Sequence, residues 1–178
     1  ALQVECAGRL SWSVDVRAGH GQQAITNEML PELAQRTDAA QVVLLDADEF
    51  VRGDREVFRA GLLVSDQPVQ LPWVSYVPFV EDDASERNPV ARIRHRRRRE
   101  VPQYSKTTVP RGLIGKAEVG AGNHSLIAGS RLAGMQIDGL TLAHFPVRSR
   151  EQLMSKVLIG SWNMRLRDPK DQNEAFHW

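Results

Sequence analysis

The chain predicts an α/β fold in which a mixed sheet is flanked by helices, and three observations carry that expectation. Helical and strand-like patterns alternate over the first half of the sequence. A short apolar run, "QVVLLD" at 41–46, reads as a strand buried on both faces, typical of a parallel or mixed sheet. A capped helical pattern follows the last strand-like piece. With 178 residues the chain is long enough for one substantial core and short for two, so residues 1–178 are expected to form a single domain.

Each element has a local reason. The opening 23 residues mix short β-prone pieces with Gly and Ser, which predicts one or two short strands and a loop at 19–21. "NEMLPELAQR" spaces Met29, Leu33 and Ala34 as a helix face, and Pro31 within it predicts a start near Asn27 or Glu28. "GDREVFRAGL" predicts a short helix behind a Gly53-Asp54 cap. The prolines of "VQLPWVSYVPFV" predict an extended segment at a sheet edge. The stretch from "EDDASERNP" to "RIRHRRRRE" predicts a loop and a basic arm. Strand-like pieces return at "KTTVPRGLIG" and "GLTLAHF". In "SREQLMSKVLIGSWNMRL", Ser149 and Gln152 are spaced as a capping box. Leu153, Val157, Gly160 and Met164 share a stripe, and Asp168-Pro169 ends the pattern.

Composition narrows the function classes. The chain is 42% hydrophobic and 25% charged, as in ordinary globular proteins, and 23 Lys and Arg nearly cancel 22 Asp and Glu. No overall field selects nucleic acid or an anionic membrane, so charge is informative only locally. The single Cys6 permits no internal disulfide and points to a reducing compartment. No run approaches the ~18 apolar residues of a membrane span. The expected location is cytoplasmic, with the inner face of the membrane as a second placement. A start at Ala1 rather than Met suggests a trimmed chain or a fragment.

The apolar run ends in Asp46, Asp48 and Glu49, three carboxylates in four residues that repel one another unless water or a shared cation separates them. Solvation of a strand-to-loop transition is the common explanation for an isolated D-x-D. A buried run leading into it favours the alternative, because strand ends of open α/β sheets face the crevice where ligands bind. Hard oxygen donors suit Mg²⁺ or Mn²⁺ held together with a substrate diphosphate.

"VVLLDADEF" resembles the metal-binding signature of family 2 type glycosyltransferases of the GT-A fold, in particular the bacterial group whose strand ends in D-x-D-E-F. "GNHSL", "LAHFPVRSREQLMSKVLIG" and the closing "AFHW" resemble that group's downstream pattern in the same order. The resemblance implies transfer of a sugar from a nucleotide diphosphate sugar donor to a glycan, lipid or protein acceptor. Transfer would invert the anomeric carbon and depend on Mn²⁺ or Mg²⁺. It implies Asp46, Asp48 and His144 at the metal, and Asp46, His124, Lys156 and Arg148 at the substrate. Glu49 would orient the loop or the acceptor. The catalytic base is expected from the acidic loop "VEDDAS", with Asp82 preferred over Glu81 and Asp83. The nucleotide-binding strands that usually open such a domain are missing, so the GT-A-like domain is expected to be partial and its sheet to expose an edge.

"RIRHRRRRE" places six arginines within eight residues. Arginine forks bind phosphate, so the run would clamp a diphosphate, an anionic lipid or nucleic acid, unless it is a solvated arm paired with the acids upstream. Nucleic acid is disfavoured by the near-neutral total and the lack of interleaved aromatics. Strand-like alternation would send Arg92, Arg94, Arg96 and Arg98 to one face and leave no apolar face. Two further functions compete with sugar transfer. One is a phosphatase or phosphotransferase of the haloacid dehalogenase type, where the first Asp is a nucleophile. The other is a truncated, non-enzymatic domain that binds anionic partners through Arg92–Arg99.

Overall fold

The computed structural model describes residues 21–166. The strands expected before residue 20, the helix stop at Asp168-Pro169 and the closing "AFHW" lie outside the described residues.

Helix α1 (Gln22–Arg36) leads into strand β1 (Gln41–Val43), the acidic turn and β2 (Glu49–Arg52). Then come α2 (Arg55–Val64), β3 (Gln70–Ser75), the short helix α3 (Pro89–Arg92) and β4 (Ser105–Pro110). The small strands β5 (Glu118–Val119), β6 (Leu126–Ala128) and β7 (Ser130–Arg131) precede β8 (Thr141–His144) and helix α4 (Arg150–Leu166). Five strands form one sheet in the order β1-β4-β3-β8-β2, and β5-β6-β7 form a second. Within the larger sheet β3 and β8 run parallel while the other pairs are antiparallel. The expected mixed α/β class is therefore present. No helix among the described residues is long and apolar enough to cross a membrane.

Three local expectations hold. The Asp54 side chain caps α2 by accepting from the Glu56 and Val57 N–H groups at 2.8 and 2.9 Å. Ser149 Oγ accepts from Gln152 N at 3.1 Å at the start of α4. The pieces at "KTTVP" and "TLAHF" are strands β4 and β8.

Other expectations are corrected, in each case by a contact distant in sequence. Helix α1 begins at Gln22, not near Asn27, and keeps Pro31 inside it. A proline there costs about 3 kcal/mol, but Leu30 is buried with Val109, Val119 and Leu126. Asn27 exchanges two hydrogen bonds with the backbone of Val119. The Arg111 guanidinium donates to the Ala34 and Thr37 carbonyls at the helix end.

The apolar run is not an interior strand. Only Gln41–Val43 pair, antiparallel to β4, and among the described residues β1 lies at the end of the sheet order. Val42, Val43 and Leu44 are half-buried, and Leu45 is exposed. Conversely β3, expected at an edge, is central. Its pairing passes from β4, over Gln70–Pro72, to β8, over Trp73–Ser75, so Pro72 falls at the changeover rather than within an unbroken two-sided ladder.

The basic run is a paired segment rather than a free arm. Tyr76 bridges Arg96, Val77 N donates to His95 O, and Arg97 N donates to Ser75 O. An apolar anchor does exist: Ile93 is 1% exposed and packs with Ala143, Phe145 and Tyr76.

The joint between β2 and α2 requires glycine. Gly53 has φ +145°, and a Cβ there would lie 2.4 Å from a Leu140 methyl and 2.7 Å from the Gly139 carbonyl. Gly53→Ala is expected to lower stability by about 2 kcal/mol, from backbone strain and displacement of a core leucine. Thermal melts check this, with Gly112→Ala as the control expected to change little, since a Cβ there meets nothing within 4 Å.

Candidate functional site

The site is built where β1 ends, between the central strands of the sheet. After Val43 the chain leaves the ladder and turns at Ala47 and Asp48, with Glu49 N donating to Asp46 O at 3.1 Å. Strand alternation therefore does not govern Asp46 and Asp48, contrary to the extended-strand expectation. The turn is closed a second time by Glu49 Oε2, which accepts from Asp46 N at 2.9 Å.

A buried cation sits among these acids. Lys106, on β4, is 1% exposed, and its Nζ lies 2.7 Å from Asp46 Oδ2 and 3.6 Å from Glu49 Oε1. Asp46 Oδ1 accepts from Gln22 Nε2 at 2.8 Å, which ties the first turn of α1 to the motif. Both Asp46 oxygens are thus engaged. The Glu49 side chain is fully buried, and burial raises its pKa above the ordinary carboxylate range against the lowering pull of the Asp46 N–H and Lys106. Its Oε1 lacks a hydrogen-bond partner.

Sheet register brings His144 to the same place. In β8, His144 stands opposite Glu49 on one side and Ser75 on the other, and Phe145 N donates to Asp48 O at 2.9 Å. The imidazole stacks on Trp73, ring centroids 4.2 Å apart, and its Nδ1 is buried without a hydrogen-bond partner. Burial lowers the His144 pKa. Asp48 and Asp46 raise it, while Lys156 and Lys106 lower it, so charges from the acidic turn, β4 and α4 act at this ring.

The remaining expected residues divide into two groups. His124 reaches the site through Trp73, the neighbour it shares with His144. Its ring lies 5.2 Å from the indole, and its Nδ1 is 2.7 Å from Ser105 O. Lys156 acts electrostatically on His144 and donates to Pro146 O at 3.5 Å. Arg148 lies just before α4, where its N–H donates to Gln152 and its carbonyl accepts from Arg92. Asp82 belongs to another neighbourhood. Its side chain is 7% exposed, accepts from Phe79 N at 2.7 Å and faces His95 at 3.5 Å.

Sequence reasoning missed Lys106 and Trp73. A signal for the first existed, since a lysine in a β-run of Thr and Val needs a carboxylate partner if that strand is interior. Trp73 was legible only as a large residue of an extended segment. Among the described residues no three His, Cys, Asp or Glu side chains form a ready-made metal cage. Lys106 already neutralises much of the acidic turn.

Removing one partner of a buried pair strands the other charge. Lys106→Met is therefore expected to cost about 3 kcal/mol, and Lys106→Met with Glu49→Gln less than the sum of the single changes, in denaturant melts of a double-mutant cycle. His144 supplies a pH signature. Its folded pKa is below the unfolded value of about 6.5, so the unfolded chain binds the extra proton and the fold loses stability as pH falls through that value. His144→Gln is expected to flatten this part of the stability-against-pH curve. No protein-family model, no curated protein and no solved structure matches this chain.

Proposed function

We propose that the chain is a glycosyltransferase domain of the GT-A type. It would pass a sugar from a nucleotide diphosphate sugar to an acceptor hydroxyl, with inversion and with Mn²⁺ or Mg²⁺ at the acidic turn. The observation that supports this most is the meeting of Asp48, Glu49 and His144, from segments almost a hundred residues apart, at one sheet position. The electrostatic pull of Asp48 on the imidazole supports it further.

In this reading Asp48 is the principal ligand of the divalent ion, because the Asp46 oxygens are already held by Lys106 and Gln22. His144 would offer its imidazole and diphosphate oxygens would supply further donors, while Asp46 would join only by giving up its Lys106 or Gln22 contact. Bound there, the ion would offset charge developing on the leaving diphosphate. Glu49 keeps the turn in shape through the Asp46 N–H. Lys156 and Arg148 would meet the donor's anionic end, and His124 supports the indole wall. Asp82 would be the base that takes the acceptor proton, although its loop lies beside Phe79 and His95 rather than at the acidic turn. It is nearly buried, so that role requires its loop to open.

The phosphatase reading needs the Asp46 carboxylate as a nucleophile, and both of its oxygens are engaged. Calorimetric titration with a panel of nucleotide diphosphate sugars tests the choice. Saturable binding that requires Mn²⁺ or Mg²⁺ is expected, and Asp48→Ala should weaken it at least about tenfold, the loss of one charge-assisted contact. Binding indifferent to metal and to Asp48, or phosphate-ester turnover without sugar-nucleotide preference, overturns the proposal.

A further inference from the structure

We propose that the arginine run and the apolar positions beside it form a docking surface for a bilayer containing anionic phospholipid. The inference stands apart from the sugar-transfer reading. Arg94 and Arg96 to Arg99 are exposed, and the run is held in place by its pairing with the end of β3 at Ser75, Tyr76 and Val77. The arginines are therefore displayed from a fixed backbone.

Two of the acids nearby are turned inward, while Glu81 and Asp83 stay exposed and Asp83 lies within electrostatic reach of Arg94. Asp82 is 7% exposed and accepts from Phe79 N, while Glu100 is 10% exposed and accepts from Ser75 N at 2.6 Å. Asp83 and Glu86 accept from backbone N–H groups of their own loop. Among the described residues no carboxylate pairs with Arg96, Arg98 or Arg99. The surface around Arg96, Arg98 and Arg99 is thus more basic than the local sequence, where Glu81, Asp82, Asp83 and Glu86 precede the arginines.

Its apolar component distinguishes a bilayer from a nucleic acid. Val80 is 91% exposed and Val101 is 73% exposed, each next to a residue held against the basic run. Phe79 packs against His95 with ring centroids 4.6 Å apart, and Glu100 pairs with Arg97. Aliphatic side chains beside arginines enter an interfacial region, as does the 52% exposed Phe79, whose ring is already packed against His95 rather than open on both faces for a base.

Co-flotation of the full chain with vesicles tests this. In about 0.1 M salt the chain is expected to bind phosphatidylcholine vesicles that contain about one quarter phosphatidylglycerol, and to ignore pure phosphatidylcholine. Replacing Arg96, Arg98 and Arg99 by Gln should weaken binding about a hundredfold, at about fivefold per arginine. Lysine at the same three positions should retain it. Val80→Ser with Val101→Ser should reduce the part that survives raised salt. The changes are at exposed positions, and unchanged melting confirms that the fold persists. Absence of binding to the anionic vesicles overturns the proposal, as does equal binding to neutral ones. A triple Gln variant that binds like the parent does the same, and so does capture by single-stranded RNA in direct competition.

Discussion

The ammonium of Lys106, withdrawn from water between Asp46 and Glu49, is the interaction on which the arrangement depends. Burying an ion costs several kcal/mol, and only close, well-oriented counter-charges offset that cost. One consequence is geometric. Lys106 belongs to β4, Asp46 to the turn after β1 and Glu49 to the first position of β2, so the ion pairs hold both ends of the five-stranded sheet to its interior. Gln22 extends the network to α1 through the other Asp46 oxygen. A second consequence is chemical, because a carboxylate already neutralised by lysine offers less to a metal than its neighbour Asp48.

Strand β3 gives the site its second wall. By changing partner from β4 to β8 at Pro72, it places Trp73 within 4.2 Å of His144 and within 5.2 Å of His124, measured between ring centroids. The two histidines, from different strands and loops, thereby share one indole. Trp73 Nε1 and His144 Nδ1 are both buried without a hydrogen-bond partner, as is Glu49 Oε1. Glu49 Oε1 keeps the Lys106 ammonium at 3.6 Å as its counter-charge.

Signals that depend on a few adjacent residues were legible. The Asp54 cap and the Ser149-Gln152 pair rest on neighbours within a turn, and the strands at "KTTVP" and "TLAHF" on short runs of β-prone residues. Pro31 and Pro72 misled for a common reason. Each carries a local penalty, yet Leu30 packing and Asn27 bonding retain the first in a helix, while a change of pairing partner accommodates the second. The burial expected for "QVVLLD" also failed, since an apolar run does not specify which strands will lie beside it.

Among candidate site residues, Asp46, Asp48 and Glu49 stood out by residue type and order and His144 by the resemblance, and the fold sets Glu49 opposite His144 with Asp46 and Asp48 acting electrostatically on its ring. What the sequence by itself determined is the list of ionisable groups, their local caps and turns, and the mixed α/β class. Tertiary structure alone decided that Lys106 would be the counter-ion, that Trp73 would join two histidines and that Asp82 would turn toward His95. The reason is that ion pairing and ring packing act over a few ångströms in space, and strand register, set by the whole sheet at once, chooses which distant residues come within that range.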